Sequence, residues 1–144
     1  MIIEVDQSGR TDQTNKTTVL ALSNKTSYAI VISSIEKRKL VAHFKKKNPE
    51  WSKSRICYQI FIELLFRLLE KHIHNTSLII LDEEYPGYQG DIKNRLLNRF
   101  GNDLDIDLVV RNIGKGSAAH KLAWQVYNNK KRGERVLAKN ITKI

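Results

Sequence analysis

Two aspartates follow two of the most apolar segments of the chain. Asp6 ends the segment 2–6, and Asp82 follows the segment 78–81. If these segments are adjacent parallel strands, both carboxylates meet at one edge of a sheet, because neighbouring strands lie about 5 Å apart. Such a pair repels itself unless a divalent cation lies between, and oxygen ligands favour Mg²⁺ or Mn²⁺. The alternative is that both aspartates are ordinary turn residues at strand ends.

The charge of the chain indicates the class of its partner. The 144 residues include 25 Lys and Arg against 15 Asp and Glu, which gives a net charge of +10. A small domain this basic most often binds a polyanion such as nucleic acid. The length predicts a single domain over residues 1–144, with a basic C-terminal tail from about residue 130. A basic α/β domain that binds a ribosome or another protein is a further alternative.

The composition excludes several other classes. Cys57 is the single cysteine, so the chain forms no internal disulfide and no cysteine-rich zinc site. The longest apolar run, around residues 60–65, is interrupted by Glu63, so we expect no membrane partner. The N-terminus lacks the basic region and cleavage site of a signal peptide. Together these features favour an intracellular, cytoplasmic location.

Apolar periodicity predicts the elements that position the aspartates. Strands over residues 2–6, 17–22 and 28–34, with a turn at 24–27, predict an antiparallel meander. Residues 35–47 are compatible with a helix, but a strand at 40–44 or an irregular arm is slightly favoured. Asn48 and Pro49 predict the N-cap and first position of a long core helix over residues 50–72.

The second half of the chain alternates strands and helices. We expect a strand at 78–81, a helix at 91–100, a strand at 106–110 and a final helix from Ser117 to about residue 129. Leu122, Trp124 and Val126 are among the apolar residues of that final helix. The order predicts an α/β fold with a mixed five-stranded sheet, in which three antiparallel strands precede parallel ones, flanked by helices.

This pattern resembles the ribonuclease H-like superfamily, which includes ribonuclease H and the RuvC-type Holliday junction resolvases. The resemblance lies in IIEVDQSGR at 2–10, LIILDEEY at 78–85 and GKGSAAHKLAWQVY at 114–127, and its order of elements covers nearly the whole chain. It implies a ribonuclease H-like sheet in which Asp6 and Asp82 are catalytic metal ligands. The helix ligands of the resolvase pattern fall on Ser117 and His120, so this chain offers a histidine where an acid is usual.

Two further carboxylates are candidates for the same site. Ribonuclease H carries a glutamate on its first core helix, and Glu63 is the matching candidate, although it could instead pair with Arg67 one turn away. Glu83 and Glu84 are either solvated turn residues or a source of one more ligand, and we choose Glu83. The predicted catalytic residues are therefore Asp6, Asp82, His120 and Glu63, and the predicted metal ligands are these four with Glu83.

The resemblance implies a Mg²⁺- or Mn²⁺-dependent endonuclease that cuts RNA–DNA hybrid or branched DNA by a two-metal type of mechanism. A resolvase that cuts two symmetric strands would be a homodimer. The alternative is a non-catalytic nucleic-acid-binding module on the same fold. The residues expected to contact phosphates are Lys45, Lys46, Lys47, Lys115, Ser117, Lys130, Lys131 and Arg132. The aromatic candidates for stacking on an unpaired base are Trp51, Tyr85, Tyr88 and Tyr127.

Overall fold

The computed structural model describes residues 1–23 and 27–142. The strands are β1 (Ile2–Ser8), β2 (Thr18–Ser23), β3 (Ser27–Ile32), β4 (Leu78–Asp82), β5 (Asp107–Arg111) and β6 (Glu134–Arg135). The helices are α1 (Ser34–Lys47), α2 (Lys53–Leu69), α3 (Gln89–Phe100), α4 (Ala118–Tyr127) and α5 (Ala138–Thr142), with a short 3₁₀ helix at Ile73–Asn75. The turn predicted at residues 24–27 lies mostly outside the described residues. Among the described helices, none is long and apolar enough to cross a membrane.

The strands form one mixed sheet in the order β5-β4-β1-β2-β3-β6. The first three strands are an antiparallel meander, as predicted. On the other side of β1, β4 and then β5 continue the sheet in parallel. The described sheet has six strands instead of the predicted five, because residues 134–135 of the basic tail pair in parallel with β3. A strand of two residues has no periodicity by which the sequence could reveal it.

The register of the sheet places the two aspartates side by side. Val5 of β1 lies opposite Leu81 of β4 in the parallel ladder. Asp6 and Asp82 are each one position further along, at the same edge of the sheet. This confirms the adjacency that the sequence analysis required. On its other side, Asp6 lies opposite Ala21 of β2.

The segment between β3 and β4 forms two helices. The preference for a strand or an irregular arm over residues 35–47 is wrong, because α1 covers this segment and is capped by the side chain of Ser33. The long helix begins later than predicted, after its N-cap Ser52. Asn48, the predicted N-cap, instead ends α1 and donates its backbone N–H to Phe44 at 2.8 Å. Asn and Ser are both favoured at the N-cap of a helix, so the sequence alone did not decide between Asn48 and Ser52.

The helices cover the two faces of the sheet unequally. On one face α1 and α2 enclose the main core, which includes Ile3, Val5, Leu20, Leu22, Phe61 and Leu64. On the other face α4 packs over small residues, since Ala21 and Ala29 of the sheet meet Ala123 of the helix. Small side chains on both surfaces let α4 approach the sheet closely. Its N-terminal turn therefore reaches the end of β1.

A buried lysine fixes the loop between β1 and β2 at the same edge. Lys37 of α1 is fully buried, and its Nζ donates to the carbonyls of Arg10 and Gln13 at 3.2 and 2.7 Å and to Thr18 Oγ1 at 2.8 Å. Burial lowers the pKa of this ammonium to about 8. Three hydrogen-bond acceptors around the ammonium hold the loop in place beside Asp6.

Candidate metal centre

Three carboxylates meet at the edge of the sheet where β1 and β4 end. Asp6, Asp82 and Glu84 each offer one oxygen, and these oxygens all lie within 4.8 Å of one another. Glu84 follows β4 on a tight turn and donates its backbone N–H to the carbonyl of Asp82 at 2.8 Å. The turn directs the Glu84 side chain back toward the strand ends. The sheet register and this turn together form the cluster.

Asp6 is the buried member of the cluster, with 4% of its surface exposed. Its Oδ1 accepts the backbone N–H of Gln7 at 2.8 Å, and its Oδ2 lies 2.7 Å from His120 Nδ1. Burial raises the pKa of Asp6 to about 6 and the charge of Asp82 adds to this, while the contact with His120 and the N–H of Gln7 oppose it. A cation in the cluster would lower the pKa of Asp6, because a positive charge favours the ionised carboxylate.

The start of α4 positions His120. Ser117 is the N-cap of the helix, and its Oγ accepts the backbone N–H of His120 at 3.0 Å. The buried Ala119 and Ala123 hold this helix against the sheet, so the imidazole reaches Asp6 with Nδ1. The side chain remains 37% exposed. Within the described residues Nε2 has no hydrogen-bond partner, so it is open to a ligand or a water molecule.

Asp82 and Glu84 are each held by a neighbouring loop. The backbone N–H of Ile113 donates to Asp82 Oδ1 at 3.1 Å, which ties the segment after β5 to the cluster. Arg10 Nε lies 3.7 Å from Glu84 Oε2. Burial raises the pKa of Glu84, whereas Gln7 and Arg10 lower it. Both carboxylates are therefore oriented before any ligand binds.

Gln7 completes the surroundings of the cluster. Its side chain is 8% exposed and lines the same small space as Asp82, Glu84 and Phe61. The amide lies beside Glu84 and favours its ionised form. Neither polar atom of the amide reaches hydrogen-bonding geometry with a described residue. A buried amide without a partner is costly, and the small space that Gln7 lines has no room for a water molecule.

Three predicted ligands are not among the converging carboxylates: His120, which contacts Asp6 from outside the cluster, and the more distant Glu63 and Glu83. Glu63 accepts a hydrogen bond from Gln59 at 3.1 Å and lines a groove with Arg67 and Arg99. Glu83 is exposed to solvent at the end of β4. Neither belongs to the three carboxylates that converge. The structure therefore brings Glu84 to the position that the sequence analysis assigned to Glu83, because the turn after Asp82 directs residue 84 back toward the sheet edge.

The predicted phosphate-binding residues fall into two groups. Lys115 and Ser117 lie at the start of α4, beside the cluster, and Lys130, Lys131 and Arg132 are exposed beyond its C-terminus. Lys45, Lys46 and Lys47 form the last turn of α1, at the opposite end of that helix from the loop-binding Lys37. Lys45 donates to the carbonyls of Pro49 and Trp51, both at 2.8 Å. The Lys45 ammonium thus already makes two hydrogen bonds within the fold.

Two residues at or near the site, Gln7 and Trp124, are not predicted from the sequence, and Glu84 is the candidate over which Glu83 was chosen. Trp124 was counted with the apolar residues of the final helix, yet it is 51% exposed. Helical spacing contained the signal, because Trp124 falls three residues after Lys121 and not on the line of the buried Ala119 and Ala123. No comparable signal identified Glu84, since the turn conformation is not encoded in periodicity.

Comparisons with known proteins give no relative from which a function could be inferred. No protein-family model, no curated protein and no solved structure matches the chain. The function is therefore argued from the residues of the cluster and from the charge around it.

Proposed function

We propose that the protein is a divalent-metal-dependent nuclease of the ribonuclease H-like type, which hydrolyses phosphodiester bonds in nucleic acid. The observation that carries the proposal is the convergence of Asp6, Asp82 and Glu84 at one sheet edge, with His120 against Asp6. The antiparallel meander continued by two parallel strands supports the fold assignment. The net charge of +10 supports a polyanionic substrate.

The residues of the cluster fit Mg²⁺ or Mn²⁺. Carboxylate oxygens are the ligands that these hard cations prefer, and Asp6, Asp82 and Glu84 would hold the ion. When bound, such ions activate water for attack on phosphorus and stabilise the leaving oxygen.

His120 has a second role in this proposal. Its Nδ1 donates to Asp6, which leaves the lone pair of Nε2 facing outward. Neutral imidazole with one nitrogen held by a carboxylate accepts a proton at the other nitrogen. We assign His120 as the residue that takes the proton from the attacking water. Compared with the ligands predicted from the sequence, the proposed set of Asp6, Asp82 and Glu84 replaces Glu83 by Glu84 and omits Glu63 and His120.

The test is a cleavage assay on labelled RNA–DNA hybrid, duplex, single-stranded and four-way-junction substrates, with Mg²⁺, Mn²⁺ or a chelator. We expect metal-dependent cleavage that is lost in Asp6→Asn and strongly reduced in Glu84→Gln. Glu83→Gln and Glu63→Gln are the matched controls and should cleave like the unmodified protein. Retained cleavage in Asp6→Asn would remove Asp6 from the mechanism.

A second candidate function is a non-catalytic nucleic-acid-binding module on the same fold. It is favoured by one observation, namely that α4 offers His120 and no carboxylate to the site. Binding of the same substrates without cleavage under every metal condition would support this function. Cleavage by the unmodified protein and not by Asp6→Asn would exclude it. The preferred substrate, with the mass of the protein in solution, would separate a monomeric ribonuclease from a dimeric resolvase.

A further inference from the structure

The outer face of α4 carries an exposed tryptophan close to the metal centre. Trp124 lies one turn beyond His120 and shares a shallow surface recess with His120, Lys121 and Gln125. Four residues along an α-helix correspond to about 6 Å. The indole therefore lies about one helical turn from the residue that contacts Asp6.

The two tryptophans of the chain differ in their contacts. Trp51 stacks with Phe44 at a centroid distance of 6.4 Å, and the guanidinium of Arg55 lies 4.4 Å from its ring. Trp124 makes no ring–ring or cation–π contact with any residue in the described ranges. Its ring is therefore available to an external planar partner. The ring of Trp51, a stacking candidate on sequence grounds, is already packed between Phe44 and Arg55, which removes Trp51 from the candidates.

The segment that contains α4 is strongly basic. Residues 108–133 include six Lys and Arg and no Asp or Glu: Arg111, Lys115, Lys121, Lys130, Lys131 and Arg132. All six side chains are exposed. None of the six forms an ion pair with a residue in 1–23 or 27–142, whereas Lys39 and Arg95 elsewhere in the chain are paired. This segment therefore attracts a polyanion, and Lys121 places one of its cations in the recess of Trp124.

We infer that an unpaired base of a nucleic-acid strand stacks on Trp124 while the exposed cations of residues 108–133 bind its phosphates. The inference rests on the proposed function, because this surface would hold the strand that continues from the metal centre. Stacking tolerates any base, since each base has a π face. An acidic peptide would use the cations but not the free indole, and a second copy of this basic surface would be repelled.

The test is a binding titration in chelator, where no cleavage occurs. In the Trp51→Phe variant all indole emission comes from Trp124. We expect oligothymidylate of about 12 nucleotides to quench this emission, and inorganic polyphosphate of similar charge to leave it unchanged. Trp124→Ala should bind the oligonucleotide about 5- to 150-fold more weakly than the unmodified protein. Trp51→Phe should bind like the unmodified protein, and the melting temperature of Trp124→Ala should stay close to the original because the side chain is exposed.

Three results would overturn the inference. They are equal affinity in Trp124→Ala, equal quenching by polyphosphate, and quenching that depends on protein concentration without oligonucleotide, which indicates self-association. Failure of the proposed function is distinct from these, since it would leave oligonucleotide quenching intact while every substrate remained uncut with Mg²⁺ and Mn²⁺. Metal-dependent cleavage with unchanged binding in Trp124→Ala would refute only the role of Trp124.

Discussion

Replacing Asp6 with asparagine should make the metal-free protein more stable, although it removes a ligand of the proposed centre. Asp6 is buried beside Asp82 and Glu84, so its negative charge is costly in the absence of a cation. Asparagine has nearly the same shape and no charge. Its side-chain oxygen still accepts a hydrogen bond from the backbone N–H of Gln7 or from His120.

The size of the effect follows from the pKa of Asp6, which rises from 3.8 to about 6. Each pKa unit corresponds to about 1.4 kcal/mol, so ionised Asp6 lowers the free energy of unfolding by about 3 kcal/mol at pH 8. Part of this is lost in the variant because its amide bonds less strongly to His120. We therefore expect Asp6→Asn to gain about 1–3 kcal/mol at pH 8 without metal.

The pH dependence of the free energy of unfolding gives the sign of the effect of ionised Asp6 on stability. Between about pH 4 and pH 6 the folded state holds more protons on Asp6 than the unfolded state does. The stability that neutral Asp6 contributes is thus fully present below pH 4 and is lost as the pH rises through about 6. The metal-free unmodified protein should lose stability over this range, and Asp6→Asn should lack that part of the slope.

The assay is thermal unfolding at pH 5 and pH 8, with chelator or with Mn²⁺. Mn²⁺ at 100 times its Kd should stabilise the unmodified protein by about 2.7 kcal/mol and should stabilise Asp6→Asn much less. For a chain of about this size, 1 kcal/mol shifts the melting temperature by about 2–4 °C. Glu83→Gln is the matched control, because its carboxylate is exposed next to the cluster. A metal-free Asp6→Asn that is less stable than the unmodified protein at pH 8 would refute the electrostatic reasoning.

Three other substitutions test the surroundings of the cluster. Lys37→Met should lower the free energy of unfolding, measured in urea, by about 1–3 kcal/mol, because it leaves three acceptors unpaired. The control Lys39→Met, at an exposed ion pair, should change this free energy by less than about 0.5 kcal/mol. Equal effects of the two substitutions would contradict this role of Lys37. Gly9→Ala should destabilise the protein more than Gly87→Ala does, because a Cβ at Gly9 would lie 2.0 Å from the carbonyl oxygen of Thr17. In Gly87→Ala only the positive φ is unfavourable, at a cost of about 1–2 kcal/mol. Thermal unfolding of the two variants gives the comparison. Glu84→Gln should weaken Mn²⁺ binding in calorimetric titration, and unchanged affinity would remove Glu84 from the ligand set.

The strand ends were predictable from sequence because their signal is strong and local. A mostly apolar segment interrupted by Glu4 ends at Asp6 and a continuous apolar run ends at Asp82. The parallel pairing of β1 with β4 brings these ends together. The cap at Ser117 was also predictable, because a serine before a helix accepts a backbone N–H regardless of tertiary context. These features rest on residues whose neighbours in the chain determine their conformation.

The remaining features depend on contacts that the sequence does not specify. Helix α1 is strongly basic and buries Lys37 together with Leu40, so its apolar periodicity is weak. The choice between Glu83 and Glu84 depends on the turn after β4, where a single residue changes the direction of the side chain. The exposure of Trp124 depends on which face of α4 meets the small residues of the sheet.

The most direct test of the proposed metal centre is titration with Mn²⁺ followed by electron paramagnetic resonance, in which bound Mn²⁺ loses the sharp signal of the free ion. We expect the unmodified protein and Glu83→Gln to bind Mn²⁺ with the same stoichiometry and to release it on addition of excess Mg²⁺. We expect Asp6→Asn and Asp82→Asn to leave the signal of the free ion largely unchanged. Equal binding by all four proteins would contradict the assignment of the cluster as a metal centre, and so would no binding by the unmodified protein.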